Sequence, residues 1–474
     1  MSSWATFGGD LHLDLDAGRG RGLGRRAALE DALRTAVRDG RLAAGTRLPS
    51  SRALAVDLGL ARNTVAEAYT RLTAEGWLTS RQGSGTVVAA RGPQPAPAAP
   101  PPGPAPGPAV RHDLRPGTPD LGRFPRTAWL AAARRALAAA PNEALGYGDP
   151  RGRIELRHAL AGHLARVRGV RTDPERLLIC TGYTQGLGLL CTALREQGAT
   201  AVAVEEYGLP PHHAVIASHG LAVRPLPLDE DGADTHQLDR TGAGLAVLTP
   251  AHQFPTGVPL RAARRAAAVD WARRTGGYLL EDDYDGEFRY DRHAIGAMQA
   301  LDPERVVYAG TAATSLAPGL RLGWLALPAD LVEPVARHKR RADGQSGALE
   351  QLTLAELIDS GGYDRHVRRS RHLLRRRRDR LVAVLAERAP AVRVTGLNAG
   401  LHAVLELPAD GPGEAELLDR ARRSGLALDT LGRSLAPGAT PSPARPPGLV
   451  IGYGAPPDHA FEAALDALCA LLAP

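Results

Sequence analysis

The chain has 474 residues, 44% of them hydrophobic, and carries 58 Lys and Arg against 51 Asp and Glu, for a formal net charge of +7 and a pI of about 9.6. That length exceeds one ordinary domain, and the apolar share can build packed cores, which excludes a globally disordered chain. No basic-then-apolar leader opens the sequence, and no run approaches the roughly 18 apolar residues of a membrane span. The three cysteines, Cys180, Cys191 and Cys469, fit neither a disulfide scaffold nor a metal-type pair, so a cytoplasmic protein without membrane attachment is expected.

Positive charge is compatible with a polyanionic partner. It comes almost wholly from arginine, because Lys339 is the only lysine in the chain. Any chemistry that needs a lysine must use Lys339 or do without it.

Residues 24 to 90 predict three short helices and a hairpin. RRAALEDALRTAVRDG places Leu29, Leu33 and Val37 at fourfold spacing. Leu48-Pro49-Ser50 supplies a proline stop and a serine cap for SSRALAVDLG, which closes at Gly59. ARNTVAEAYTRLTAEG then puts Val65, Ala68, Tyr69 and Leu72 on one face, and its first turn, Arg62-Asn63-Thr64, is polar, as a helix entering a major groove needs to be. WLTSRQGSGTVVA predicts two short strands around a glycine-rich tip, whose amides can approach a phosphate with no Cβ in the way. Next, GPQPAPAAPPPGPAPGPA (92–109) predicts a polyproline-like spacer. The expected division is 1–90 DNA-binding, 91–110 linker, 111–330 large domain and 331–474 small C-terminal domain.

Beyond the spacer, the apolar runs LLIC (177–180), AVAV (201–204), LAVLT (245–249), YLLE (278–281) and VVYAG (306–310) alternate with helical stretches. This predicts an α/β fold with a mostly parallel sheet between helices. Four motifs fall at strand ends, where open α/β sheets bind ligands: TGYTQG, TPAHQFPTG, EDDYDGEF and the stretch containing LAPGLRLGW. From about residue 331 the pattern is helical, with strand-like LHAVLEL and GLVIGYG near the end, a small α+β domain. The run YDRHVRRSRHLLRRRRDR invites a second DNA contact, but a helix this charged is more often a solvated or dimer-facing element, and that is the expectation.

Residues 24 to 90 resemble the winged helix-turn-helix of the GntR family of bacterial regulators. That resemblance implies DNA contacts from Arg52, Arg62, Asn63 and Thr64, with Gln82 and Gly83 in the wing. Ala61 stands where the family often has a capping serine. YGDPRGRIELRHAL, TPAHQFPTG, EDDYDGEF and LAPGLRLGW extend the resemblance over nearly the whole chain. They match the MocR subgroup, in which this winged helix is fused to a fold-type-I aminotransferase-like domain. The resemblance implies a homodimeric transcription regulator that binds a double-stranded DNA operator and senses a small-molecule effector. Gly182, Tyr183, Thr184, Thr311 and Arg321 would cup the phosphate of pyridoxal phosphate, with Tyr147 arriving from the other subunit. Asp282 would pair with the pyridine nitrogen and Tyr284 with the ring hydroxyl.

One departure bears on chemistry. Where the subgroup writes a lysine, Gly310-Thr311-Ala312-Ala313-Thr314-Ser315 puts Thr314. Threonine has no amine to condense with the cofactor's aldehyde or to act as an amine base. Lys339, in the basic stretch ARHKRRAD, is expected on the solvated surface. Val450 falls where several relatives carry an arginine that grips a substrate carboxylate. The expectation is a non-enzymatic regulator in which pyridoxal phosphate is either held without a covalent bond or absent. The alternative is a pyridoxal-phosphate-dependent aminotransferase that also binds DNA.

Overall fold

A computed structural model describes residues 13, 24–81, 85–90, 109–290, 295–396, 399–440 and 445–473. The proline-rich spacer, except residue 109, and the wing residues Gln82 and Gly83 lie outside the described residues. The chain divides into two compact units, Met1–Ala105 and Pro106–Pro474.

The first unit packs helices α1 (Arg25–Arg38), α2 (Ser51–Asp57) and α3 (Arg62–Ala74) against a hairpin of β1 (Leu78–Arg81) and β2 (Gly85–Val88). Leu29, Leu33, Leu54, Val65, Leu72 and Leu78, all but excluded from solvent, form its core. The Ser50 side chain accepts the Ala53 N–H at 3.1 Å and caps α2, whereas Ala61 gives α3 no side-chain cap. Ser50→Ala is therefore expected to destabilise this unit by about 1 kcal/mol, read as a shift in the chemical denaturation midpoint of the full chain.

The second unit opens with the short β3 (His112–Asp113), paired parallel with Leu426–Ala427, and is built on a seven-stranded sheet. Its strands are β4 (Leu177–Cys180), β5 (Ala201–Glu205), β6 (Ala222–Leu226), β7 (Leu245–Leu248), β8 (Tyr278–Asp282), β9 (Val306–Thr311) and β10 (Gly323–Ala326), in the order β4-β10-β9-β8-β7-β5-β6. Only β10 runs against its neighbours; every other pairing is parallel. The five strands expected from apolar runs are all present. β6 and β10 were not separately expected.

Among the helices on this sheet are α4 (Arg126–Ala139), α5 (Ile154–Arg168), α6 (Tyr183–Glu196), α7 (Pro210–Ser218) and α8 (Ala262–Thr275), followed by α9 (Ala329–Asp343) and α10 (Ala348–Asp359). The long α11 (Gly362–Arg388) leads to a second sheet of four strands that includes His402–Glu406 and Gly448–Gly452. A core running from Leu156 and Ile179 through Leu381 to Leu405, Ile451 and Leu468 joins this part to the large sheet. No helix among the described residues is long and apolar enough to cross a membrane.

Candidate functional site

In the first unit, Arg52, Arg62 and Asn63 are exposed and Thr64 is half-buried. Arg62, Asn63 and Thr64 form the first turn of α3, whose opposite face supplies Val65, Ala68, Tyr69 and Leu72 to the core. The helix therefore has one buried side and one free polar end. The sequence reading missed Arg47. It is exposed, bridges to Val87 beside the hairpin, and lays its guanidinium next to Gly85, where an added Cβ would lie 3.0 Å from Nε.

In the second unit, the strand ends bring the remaining candidates together. Cys180 pairs with Gly323 and Gly323 with Thr311, so Thr181-Gly182, Thr311 and Arg321 emerge along one edge, with Asp282 ending the next strand. Gly182, at φ 101°, opens α6 and leaves that helix's first amides free to face an anion. A Cβ at Gly182 would sit 3.2 Å from the Arg321 guanidinium, and one at Gly323 would sit 2.9 Å from the Gly182 Cα. Glycine is thus required on both sides of this cradle.

Arg321 is the only non-glycine with positive φ (53°) among the described residues, a strained conformation that tends to gather at functional sites. Its guanidinium makes no hydrogen bond or ion pair among the described residues. Thr184, in the first turn of α6, is exposed. Thr311 Oγ1 donates to the Leu322 carbonyl (3.3 Å) and accepts from the Ala313 N–H (3.1 Å).

Beneath the cradle, Asp282 is buried, and burial beside Asp283, Asp285 and Glu205 holds its carboxyl well above the usual range. Among the described residues no cationic side chain pairs with it. The buried hydroxyl of Tyr183 has no partner in full hydrogen-bond geometry and lies close enough to Asp282 for each to perturb the other. A buried phenol and carboxyl that meet no cation, and an unpaired guanidinium beside a glycine cradle, among the described residues, match a ligand with a phosphate at one end and a protonated ring nitrogen at the other. That donor set fits pyridoxal phosphate. Space is tighter: the Tyr183 ring lies tilted against His212 with centroids 4.4 Å apart, and the neighbouring cavity, lined by Glu205, Tyr207, Thr249 and Asp282, measures about 40 Å³, less than a ring-sized ligand needs.

Tyr284 and Thr314 close the other side. Tyr284 Oη donates to the His252 carbonyl (3.2 Å) and lies 3.1 Å from His252 Nδ1, which also meets Asp285 Oδ2 at 2.7 Å. His402, whose burial pushes its imidazole down to about 3, stacks nearby. His252, Asp285 and His402 place donor atoms within 4.8 Å of one another, a grouping that could accept a metal, but the His252–Asp285 hydrogen bond already satisfies two of them. Thr314 Oγ1 donates to the Tyr284 carbonyl at 2.5 Å, so the chain itself uses this hydroxyl. Val450 is fully buried and presents no cation.

Lys339 corrects an expectation. It is completely buried, not solvated. Its Nζ donates to both carboxylate oxygens of Asp343 (2.8 Å each) and to Ser346 Oγ (3.0 Å). Leu331, Val335 and Lys339 share fourfold spacing on α9, so the lysine falls on the face that packs inward. Asp343 also accepts from Gln185 Nε2 (2.7 Å), and Gln185 Oε1 accepts the Thr181 N–H (2.8 Å), which braces the turn before the cradle.

Glu205, also missed, accepts from the Thr249 N–H and hydroxyl, and burial raises its carboxyl to about 7. The folded chain therefore keeps a proton that the unfolded chain releases above its ordinary 4.5. Stability contributed by this group is greatest below about 4.5 and is lost as pH rises through about 7. Glu205→Gln is expected to flatten that decline and raise stability at pH 8 by roughly 1–3 kcal/mol, measured as denaturation midpoints at pH 5 and pH 8.

Comparison with known proteins accords with both halves. Residues 25–88 match the bacterial regulatory proteins of the gntR family, and residues 113–427 match aminotransferase class I and II. The HTH-type transcriptional regulator YhdI of Bacillus subtilis is 34% identical over 82% of this chain and 84% of its own. The chain is a MocR-type regulator of the GntR family. The pyridoxine biosynthesis regulator PdxR of Corynebacterium glutamicum is 33% identical over 80% of this chain and 82% of its own. For the probable rhizopine catabolism regulatory protein MocR of Rhizobium meliloti, the identity is 33% over 75% and 76%. An archaeal alanine:glyoxylate aminotransferase shares the fold of the second unit with a TM-score of 0.67 at 23% identity, covering 76% of this chain and 90% of its own. This MocR-type chain therefore joins a DNA-binding helix-turn-helix to an aminotransferase fold.

Proposed function

We propose that the chain is a homodimeric regulator whose aminotransferase-like unit senses an effector and holds pyridoxal phosphate without a covalent bond or catalytic turnover. The observation that carries this is the pairing of an intact donor set with a closed-off chemistry. Among the described residues Arg321 makes no hydrogen bond or ion pair and Asp282 has no cationic partner, while Thr314 is spent on the Tyr284 carbonyl and Lys339 is sealed by Asp343 and Ser346.

Gly182, Tyr183, Thr184, Thr311 and Arg321 would hold the phosphate, Asp282 the ring nitrogen and Tyr284 the ring hydroxyl. When bound, the cofactor supplies an electrophilic aldehyde and an electron sink. The chain's own residues bind and orient it but offer no amine to move a proton. With Val450 in place of a carboxylate-gripping arginine, amino-acid recognition takes a different form from that of the relatives. Titrating pyridoxal phosphate into the protein and following its absorbance together with operator affinity tests this. Binding that alters DNA affinity without transaminase turnover is expected; turnover would refute it.

Leu130, Leu137, Leu145, Tyr147 and Leu349 are exposed on α4, the loop after it and the start of α10, elements that touch one another. Exposed apolar side chains so placed suit a subunit interface, and they include the tyrosine expected to cross it. Leu137→Asp is expected to shift sedimentation at micromolar concentration from dimer toward monomer.

A further inference from the structure

We propose that the exposed face of α11 is a second, sequence-independent docking surface for duplex DNA, carried by the aminotransferase-like unit. The proposal takes from the family assignment only that this chain binds DNA through its first unit.

The arginines of α11 fall into two sets. Arg365, Arg371, Arg377, Arg378, Arg380 and Arg388 each hold a carbonyl or a carboxylate of the second unit. Arg368, Arg369, Arg375 and Arg376 are exposed and make no hydrogen bond or ion pair among the described residues. With His372, also exposed, they occupy positions i, i+1, i+4, i+7 and i+8. At 100° per residue those positions share one stripe about 12 Å long. These four guanidiniums stand in two pairs about 10.5 Å apart along the helix, a band of positive charge that no carboxylate of the described residues neutralises. A polyanion supplies the missing countercharge.

Duplex DNA is the occupant the observations favour. It presents one charge per roughly 1.7 Å of axis, dense enough to meet all four guanidiniums. The same chain carries the DNA-binding unit, so a bound duplex is already at high effective concentration. A membrane surface fits poorly, because no large hydrophobic side chain is exposed between residues 362 and 388, and an interfacial helix needs an apolar face to insert.

The test uses the full chain and a random-sequence 60-base-pair duplex, with affinity measured by fluorescence anisotropy from 50 to 200 mM salt. Arg368→Gln, Arg369→Gln, Arg375→Gln and Arg376→Gln together should lower affinity at least tenfold at 100 mM salt. They should also reduce the steepness of log K against log salt by about 3–4, with melting temperature and dimer state unchanged. The fourfold Arg→Lys variant should keep both affinity and slope. Arg47→Gln with Arg52→Gln, at the residues of the first unit that suit the phosphate backbone, is a separate arm: if it weakens binding while the fourfold Gln variant matches wild type in affinity and slope, the docking surface is refuted and the winged helix stands. If the fourfold Gln variant loses affinity and the Arg47, Arg52 double variant does not, it is the winged-helix assignment that fails. Binding of wild type to vesicles containing 30% phosphatidylserine, lost in the Gln variant while DNA affinity is unchanged, would overturn the proposal in favour of a membrane.

Discussion

Replacing Arg62 and Asn63 together with alanine is expected to reduce operator affinity by about a hundredfold or more, while leaving non-operator binding much less affected. Both residues are exposed in the first turn of α3, and the remainder of that helix is pinned by Val65, Ala68, Tyr69 and Leu72 in the core. A fixed helix with a free polar end is the geometry that reads base edges, and each good side-chain-to-base contact is worth roughly 1–3 kcal/mol of discrimination. Arg52, on the preceding helix, and Arg47, beside the hairpin, suit the phosphate backbone instead. Their loss should weaken operator and random duplexes alike and lower the salt dependence. Operator binding that survives deletion of residues 1 to 90 would show that recognition lies elsewhere.

Asp282→Ala is expected to lower affinity for pyridoxal phosphate by roughly ten- to a hundredfold, about 1.5–3 kcal/mol, the usual worth of a charge-assisted hydrogen bond. The carboxyl is buried, raised well above its ordinary range and without a cationic partner, so a protonated ring nitrogen would relieve the cost of its burial. Arg321→Ala should act at the other end of the ligand, weakening inorganic phosphate and the cofactor together. Equilibrium dialysis of both variants, with melting temperature as a check on folding, separates these two roles.

Much of this was legible in the sequence for identifiable reasons. Five of the seven strands of the large sheet are continuous apolar runs buried on both faces, and periodicity finds such runs readily. β6 escaped because Arg224 and Pro225 interrupt it at the sheet edge, where one side needs no burial. β10 is only four residues long and lies inside a motif read for its loop. Lys339 reads as solvated by its charge, yet Leu331, Val335 and Lys339 share one face of α9, and that face packs inward. Glu205 and His252 carry no local signal of their own. Their partners, Thr249 and Asp285, are 44 and 33 residues away, and only the fold brings them together.

The most direct test of the central claim is borohydride reduction of the full chain with bound pyridoxal phosphate, followed by mass spectrometry of the digest. Thr314 has no amine, and the Nζ of Lys339 is buried against Asp343 and Ser346. The account therefore predicts cofactor that is retained in dialysis, released on denaturation, and absent as a reduced adduct at residue 339. A pyridoxyl group on Lys339, accompanied by measurable transaminase turnover, would contradict it.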